Sequence, residues 1–202
     1  MVIDMDEFRE NFIDEYLKDV IRTLDEIRTK NADFFDSLAT IFLEAREDNR
    51  KIFFCGNGGS ASTASHFTSD LAKGTIVEGR PRFKALSLAD NIPLMLAWGN
   101  DSCYEDIFVE QLKNLMEPGD VVVGISGSGN SENVLRAIRY ANENVATTVG
   151  ITGFDGGKIK DMVDLCLIAP VHNMQKTEDI HMLVDHLTTL MIKEEEMARR
   201  GE

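Results

Sequence analysis

The first 48 residues carry their apolar side chains at helical spacing. From Phe8 to Ile27 the apolar positions recur at steps of one, three and four residues, which is typical of a broad apolar stripe along one helix. A second segment from about Asp33 to Glu47 repeats the pattern, and neither segment contains Gly or Pro. We predict a helical hairpin over residues 1–48. Its stripe is wider than one neighbouring helix needs, which favours packing against another subunit.

From residue 51 onward the pattern changes to short apolar runs separated by amphipathic stretches. The runs span residues 51–55, 83–88, 121–125, 147–152 and 164–170. The helical stretches lie near 60–73, 91–98, 104–116, 131–143 and 177–196. Strands that are apolar on both faces and alternate with helices indicate an α/β fold, in which a doubly wound, mostly parallel five-stranded sheet is flanked by helices. We predict a single domain over 1–202, with an N-terminal helical arm of 1–48 and an α/β core of 49–202.

Composition and charge exclude several classes of protein. The chain has 202 residues and is 43% hydrophobic, which is enough for a sizeable core and argues against disorder. Its 35 Asp and Glu against 21 Lys and Arg give a net charge of −14, which disfavours nucleic acid or an anionic membrane as a partner. The sequence shows no apolar run of about 18 residues and begins with an acidic segment, so we expect a cytoplasmic protein without a membrane span or signal peptide.

Two loops rich in Gly and Ser follow predicted strands and lead into predicted helices. They are CGNGGSAS at 55–62 and ISGSGNS at 125–131. Glycine lets the backbone turn and approach a ligand closely, and the free N–H groups of the next helix, together with Ser hydroxyls, can bind an anion such as phosphate. Neither loop has the GxGxxG or the Lys-containing pattern of nucleotide sites, so no nucleotide cofactor is expected. Because ligands of doubly wound sheets bind beyond the carboxyl ends of the strands, we predict that the two loops converge.

These loops and the motifs around them resemble the sugar isomerase (SIS) domain family. GISGSGNSENV is typical of SIS domains in general, whereas GNGGS followed by a His on the next helix, with IHMLVDH near the end of the chain, is similar to the phosphoheptose isomerase branch. The GND at 99–101 and ITGFDGGK at 151–158 extend the resemblance over nearly the whole chain. It implies a flavodoxin-like SIS fold and a homotetramer with active sites between subunits. The activity that it implies is interconversion of sedoheptulose 7-phosphate and D-glycero-D-manno-heptose 7-phosphate.

The resemblance also implies which residues act on the substrate. The residues expected to bind it are Asn57, Gly58, Gly59, Ser60, Asn100, Asp101, Ser126, Gly127, Ser128, Ser131 and Glu178. Aldose–ketose isomerisation through an enediol needs a base that moves a proton between C1 and C2 and an acid that protonates the carbonyl oxygen. By resemblance Asp70 would be the base and His186 the acid, with Glu178 as a further candidate for proton transfer.

A metal site is implied by the same resemblance. In some family members the positions that match His66, Asp70, Glu178 and His186 bind zinc, which would give one Zn²⁺ per subunit. The family usually has Glu in place of Asp70 and Gln in place of Glu178. Two carboxylates that converge without a cation repel each other, whereas two neutral imidazoles and two carboxylates form a charge-balanced ligand set for Zn²⁺. We hypothesise that these substitutions favour metal binding.

The same substitutions keep other functions open. Asp is about one methylene shorter than Glu, and a displacement of about 1 Å can lower a rate roughly 100-fold. Some relatives of this branch are tetrameric adaptors for a replication initiator that have lost the site residues, so a non-catalytic protein that binds a phosphosugar or a protein partner is the alternative. A metal-dependent activity on another phosphosugar is a third hypothesis. The presence of His66, Asp70 and His186 favours an enzyme.

Overall fold

Every helix and strand that the sequence pattern predicts is present. A computed structural model describes residues 4–200, without the side chain of Arg200, so the outermost residues of the predicted domain lie outside the described part. The strands are β1 (Lys51–Gly56), β2 (Lys84–Ser87), β3 (Val121–Ser126), β4 (Thr147–Gly153) and β5 (Leu165–Ala169). The helices are α1 (Met5–Lys30), α2 (Ala32–Glu47), α3 (Gly59–Ser69), α4 (Ile92–Asp101), α5 (Val109–Leu115), α6 (Glu132–Glu143) and α7 (Met174–Arg200). A π-helical turn at Asp70–Gly74 continues α3.

The five strands form one sheet in the order β2-β1-β3-β4-β5, and all four strand pairs are parallel. The predicted fold class is therefore confirmed. This order reverses direction between β1 and β3, and such a switch point is where doubly wound sheets bind ligands. The register of β1 and β3 pairs Gly56 with Ile125, so the two strands end side by side.

Two apolar layers cover the sheet, one on each face. Along β1, Phe54 packs with α2, α3 and α7, whereas Phe53 packs with α5 and α6 on the other face. The rings of Phe42, Phe54 and Phe67 have centroids 4.8 to 6.1 Å apart. Cys55, the last apolar side chain of this strand, is fully buried, and burial raises the pKa of its thiol to about 12. Its role is thus packing, as its apolar setting predicts.

The apolar stripe of α1 is covered only near its C-terminal end. Thr23 and Ile27 are buried there. The apolar residues that are more than half exposed on α1 are Met5, Phe8, Phe12, Ile13, Leu17 and Ile21. Such a surface marks an interaction site, and packing of the arm against another subunit stays a prediction. Among residues 4–200, no helix combines the length and the apolar character that crossing a membrane requires.

A buried ion network joins the C-terminal part of α7 to α2. Arg46 is 2% exposed and Glu196 1% exposed, and the Arg46 Nη2 and Glu196 Oε2 atoms are 3.1 Å apart. The Nε of Arg80 lies 2.7 Å from the same oxygen. Within the described residues neither Glu196 oxygen makes a directed hydrogen bond, so the attraction is mainly one of charge. This network holds the far end of α7 in place.

Replacing Glu196 with Ala should lower the free energy of unfolding by about 3 kcal/mol, because the guanidinium groups of Arg46, Arg80 and Arg199 would lose a buried counter-charge. Urea denaturation followed by circular dichroism measures the change. Glu195→Ala is the matched control, since Glu195 is 39% exposed and pairs with Arg199 at the surface, where such pairs contribute about 0–1 kcal/mol. Equal losses in the two variants would contradict a stabilising role for the buried network.

Candidate functional site

The two loops rich in Gly and Ser meet in one cleft of about 280 Å³. The lining residues are Asn57, Gly58, Gly59, Ser60, Ile125, Ser126, Gly127, Ser128, Ser131, Met174 and Glu178. The predicted convergence of the loops is therefore confirmed, and it follows from the pairing of β1 with β3. Met174 is a lining residue that sequence analysis missed, because nothing in the pattern of α7 shows that its first turn faces this cleft.

Two helices begin at this cleft, α3 after Gly58 and α6 after Ser131. The first N–H groups of a helix have no partner within the helix, and its N-terminus carries a partial positive charge. The hydroxyl oxygens of Ser126 and Ser131 lie 3.1 Å apart on the same lining. Hydroxyls, N–H groups and two helix N-termini together suit an anion such as phosphate.

Two glycines of these loops are closely packed, and one of them, Gly129, packs against backbone. A Cβ on Gly59 would lie 2.3 Å from the Oε1 of Glu178, so the carboxylate rests directly on the backbone of the first loop. Gly129 has a φ of 64°, and a Cβ there would lie 2.1 Å from the carbonyl oxygen of Gly156. A larger residue at Gly129 would push the second loop away from the backbone of Gly156, whereas at Gly59 it would displace the carboxylate of Glu178.

The side chain of Asn57 is held in place by two other side chains. The amides of Asn57 and Asn133 donate to each other at 2.8 Å, and the Tyr104 hydroxyl donates to the Asn57 Oδ1 at 2.9 Å. Asn133 is buried in the first turn of α6. These contacts tie the first loop to α6 and to the turn that follows α4. Sequence analysis missed Asn133 and Tyr104. Asn133 is recognised by its buried amide in the first turn of α6.

Asn100 and Asp101 are outside the cleft within one chain. They are the exposed last residues of α4, and the Asn100 Nδ2 donates to the Asp101 Oδ1 at 2.8 Å. Their helix follows β2, the edge strand, which lies on the far side of β1 from β3 and the second loop. Their contact with substrate stays a prediction.

A second group of polar side chains lies where α3 packs against α7. Its members are His66, Asp70, Asp185 and His186, and one ligand atom from each lies within 4.8 Å of all the others. The Nε2 atoms of His66 and His186 are 3.2 Å apart, and the Nε2 of His66 is 3.6 Å from the Oδ2 of Asp70. His66 and Asp70, four residues apart, therefore share one face of their helix. Asp70 starts the π-helical turn, and π turns are frequent at functional sites.

Two of the spacings within this group are close to those around a tetrahedral metal ion. Bonds of about 2.0–2.1 Å from Zn²⁺ to nitrogen or oxygen place two tetrahedral ligands about 3.3–3.4 Å apart. The two measured separations, 3.2 and 3.6 Å, lie on either side of that value. Imidazole and carboxylate are both ligands of Zn²⁺. These residues can therefore hold a metal ion.

Asp185 is the member of this group that sequence analysis missed. It is fully buried, and among the described residues neither of its carboxylate oxygens has a hydrogen-bond partner. Burial, with a smaller effect from the charge of Asp70, raises the pKa of Asp185 to about 8. Asp185 lies four residues after His181 and four before Thr189, and both of these residues are buried. This helical spacing places Asp185 on the buried face of α7. His181 packs in the core, and burial lowers the pKa of its ring to about 4.

Glu178 lines the cleft between the two loops and does not belong to the group of His66, Asp70, Asp185 and His186. It precedes His186 by eight residues, which is about 12 Å along α7 at about 1.5 Å per residue. Within one chain, the rise of the helix therefore separates Glu178 from His186 along the axis of α7. Glu178 as a metal ligand stays a prediction.

Comparison with known proteins identifies the family. The SIS domain model matches residues 15–153. The phosphoheptose isomerase of Trichlorobacter lovleyi is 34% identical over 185 residues, which are 92% of this chain and 94% of that protein. That of Nitratidesulfovibrio vulgaris is 40% identical over 158 residues, covering 78% of this chain and 76% of that one. The solved phosphoheptose isomerase of Neisseria gonorrhoeae superposes with a TM-score of 0.85 at 30% identity, covering 92% of this chain and 98% of that one. The chain therefore belongs to the SIS domain family, in its phosphoheptose isomerase branch.

Proposed function

We propose that this chain isomerises a phosphorylated ketose to the corresponding aldose, with sedoheptulose 7-phosphate and D-glycero-D-manno-heptose 7-phosphate as the pair. The observation that carries the proposal is the single cleft formed by the two loops at the N-termini of α3 and α6. Relatives that are 34 and 40% identical are phosphoheptose isomerases, which supports this class of substrate. A non-catalytic adaptor is less well supported, because an adaptor would not need both this cleft and the His/Asp group.

The phosphate is bound by the loops. Ser126, Ser128 and Ser131 offer hydroxyls, and the first turns of α3 and α6 offer N–H groups. These donors are neutral, so they bind an anion even though the chain carries a net charge of −14. Gly58, Gly59 and Ser60 complete the phosphate side of the cleft, and Gly127 lets the second loop approach the ligand.

Proton transfer takes place near the His/Asp group. His66 follows Ser60 by six residues on α3, about 9 Å along the helix, a distance of the order that an extended sugar phosphate spans. Asp70 is the base that moves the proton between C1 and C2, and His186 is the acid at the carbonyl oxygen. Glu178, which lines the cleft beside Gly59, accepts hydrogen bonds from sugar hydroxyls.

The same group would hold one Zn²⁺ per subunit through His66, Asp70 and His186. When bound, the ion would polarise the carbonyl oxygen of the sugar as a Lewis acid. A carboxylate has two oxygens, so Asp70 can contact a cation with one oxygen and accept the substrate proton with the other.

We also propose that the chain forms a homotetramer whose active sites lie between subunits. The exposed apolar face of α1 supports this assembly, as does α4, which exposes Ile92 and Leu96 and buries none of its described residues. Asn100 and Asp101 on α4 are outside the cleft within one chain. A neighbouring subunit would bring them to a substrate.

Asp70→Asn should lower kcat for sedoheptulose 7-phosphate by about 100-fold or more, because the isosteric amide cannot accept a proton. Product formation and incorporation of solvent deuterium at the transferred carbon measure the loss. Asp36→Asn, at an exposed position of α2, is the matched control and should retain the wild-type rate. Wild-type protein, supplied with Zn²⁺, that neither forms product nor exchanges deuterium would contradict the isomerase.

Ser131→Ala should raise KM for the phosphorylated sugar about tenfold, because a hydrogen bond to a charged group contributes about 1.5–3 kcal/mol. The variant should convert unphosphorylated sedoheptulose as slowly as the wild type does, since that sugar lacks the group which Ser131 contacts. Steady-state kinetics with both sugars measure the two effects. An unchanged KM for the phosphorylated sugar would mean that the phosphate binds elsewhere.

A further inference from the structure

We infer that Lys176 is a positioning residue of the substrate cleft, because it ties the first two turns of α7 to α1 and thereby fixes the place of Glu178. The inference rests on the proposed function and deepens it, since it concerns how the carboxylate that accepts hydrogen bonds from the sugar is held. It is carried by the burial of Lys176, by its partners on α1 and by the two opposite faces of α7 that are in contact.

Lys176 is a buried cation in an unfavourable place. Its side chain is 9% exposed, and its backbone N–H donates to the Oδ1 of Asn173, which precedes α7, at 3.0 Å. In this first turn the partial positive charge of the helix N-terminus repels a cation. An ammonium group withdrawn from water also loses its hydration, so it stays buried only where other groups offset that loss. The partners of Lys176 therefore determine where the side chain lies.

These partners belong to α1. The Nζ of Lys176 donates to the Oδ2 of Asp19 at 2.7 Å and lies 4.7 Å from the centre of the Tyr16 ring, within the range in which an aromatic face attracts a cation. The Tyr16 hydroxyl in turn donates to the Oδ2 of Asp179 at 2.8 Å. Tyr16 and Asp19 are three residues apart on α1, as Lys176 and Asp179 are on α7, so each pair shares one helix face. We call these four side chains the arm contact.

The arm contact and the cleft lie on opposite sides of the beginning of α7. Successive residues of a helix are about 100° apart around its axis, so Lys176 and Glu178 are separated by about 200°. On the cleft side, Met174 packs against Gly127 and the carboxylate of Glu178 packs against Gly59. The beginning of α7 is thus held between α1 and the two loops, and loss of the contact on one side would leave it free to move on the other.

The arm contact lies in a part of α1 that is otherwise exposed. Among the described residues of α1, the buried ones are Thr23 and Ile27, near its C-terminal end. Leu17, between Tyr16 and Asp19, is 54% exposed. Hydrogen bonds and charge, rather than apolar packing, therefore join this part of α1 to α7. We expect that removing them displaces the first turns of α7 and, with them, Glu178.

The test compares KM with kcat for sedoheptulose 7-phosphate. Lys176→Met should raise KM about tenfold and leave kcat within about twofold, because the sugar loses a well-placed charged acceptor in the ground state and in the transition state alike. Asp19→Ala should raise KM in the same way. A purely structural role would lower the amount of folded protein, and with it the apparent kcat, but would leave the KM of the folded fraction unchanged.

The matched control is Asp25→Ala. Asp25 pairs with Arg28 three residues later on α1, as Asp19 pairs with Arg22. Both substitutions therefore remove one surface ion pair from α1, but only Asp19→Ala also removes a contact with α7. Asp25→Ala should keep the wild-type KM.

Two further variants test whether Lys176 acts through Glu178. Lys176→Arg keeps a cation on a long side chain and should return KM to within about threefold of the wild-type value. In a Glu178→Ala background, Lys176→Met should change KM by less than about twofold, because the carboxylate that it positions is already absent. Hydrogen exchange of the amides of residues 174–179 should be faster in Lys176→Met, and exchange in the second half of α7 should be unchanged.

Several outcomes would overturn the inference: a wild-type KM in Lys176→Met, equal effects of Asp19→Ala and Asp25→Ala, or full additivity of Lys176→Met with Glu178→Ala. A wild type that binds sedoheptulose 7-phosphate in a calorimeter but does not isomerise it would contradict the proposed function alone. The calorimetric Kd then replaces KM in every comparison, with the same expected ratios. A wild type that does not bind this sugar phosphate would contradict both.

Discussion

Parallel pairing of β1 with β3, in the register that sets Gly56 opposite Ile125, places two strand ends side by side at the centre of the sheet. Each end continues through a Gly/Ser loop into a helix, so two helix N-termini face the same cleft. Without this pairing the loops would be ordinary turns at separate points of the sheet. The anion site is therefore a property of strand order, and the loop residues determine how closely a ligand approaches.

Two helices, α3 and α7, connect this cleft to the His/Asp group of His66, Asp70, Asp185 and His186. α3 begins at the phosphate side with Gly59 and continues to His66. α7 passes the cleft at Glu178, reaches the group at His186 and ends near the buried Glu196. A shift of α7 by one residue would move it about 1.5 Å along its axis and displace contacts at both sites. The ion network at Glu196 thus stabilises a helix whose position along its axis determines the chemistry.

The helices, the strands and the cleft could be predicted from the sequence better than the His/Asp group could. Strand and helix periods separate clearly after residue 51, and Gly/Ser loops between them indicate a switch point, so the convergence at Ser60 and Ser126 could be predicted. The residues that lie beside His186 could not be predicted from positions around α7 alone, because the rise of the helix separates His186 from Glu178 within one chain. Asp185 lies within IHMLVDH, but the resemblance gives it no role, and its burial depends on how α7 packs against α3. Asn100 and Asp101 depend on surfaces outside one chain.

The distance between the two ends of the site also bears on how a chain with a net negative charge binds an anion. A sugar phosphate is an anion, and the chain that binds it has a net charge of −14 and carboxylates at Asp70 and Asp185. His66 follows Ser60 by six residues of α3, about 9 Å along the helix, so the phosphate side of the cleft and the His/Asp group are two separate ends of the site. The cleft offers neutral donors to a phosphate, and the carboxylates of Asp70 and Asp185 lie at the other end. Glu178 is the exception, since it lines the same cleft as the serines. Its repulsion of the phosphate is offset only when sugar hydroxyls donate to it, so this carboxylate favours ligands that carry both a phosphate and hydroxyls over phosphate alone.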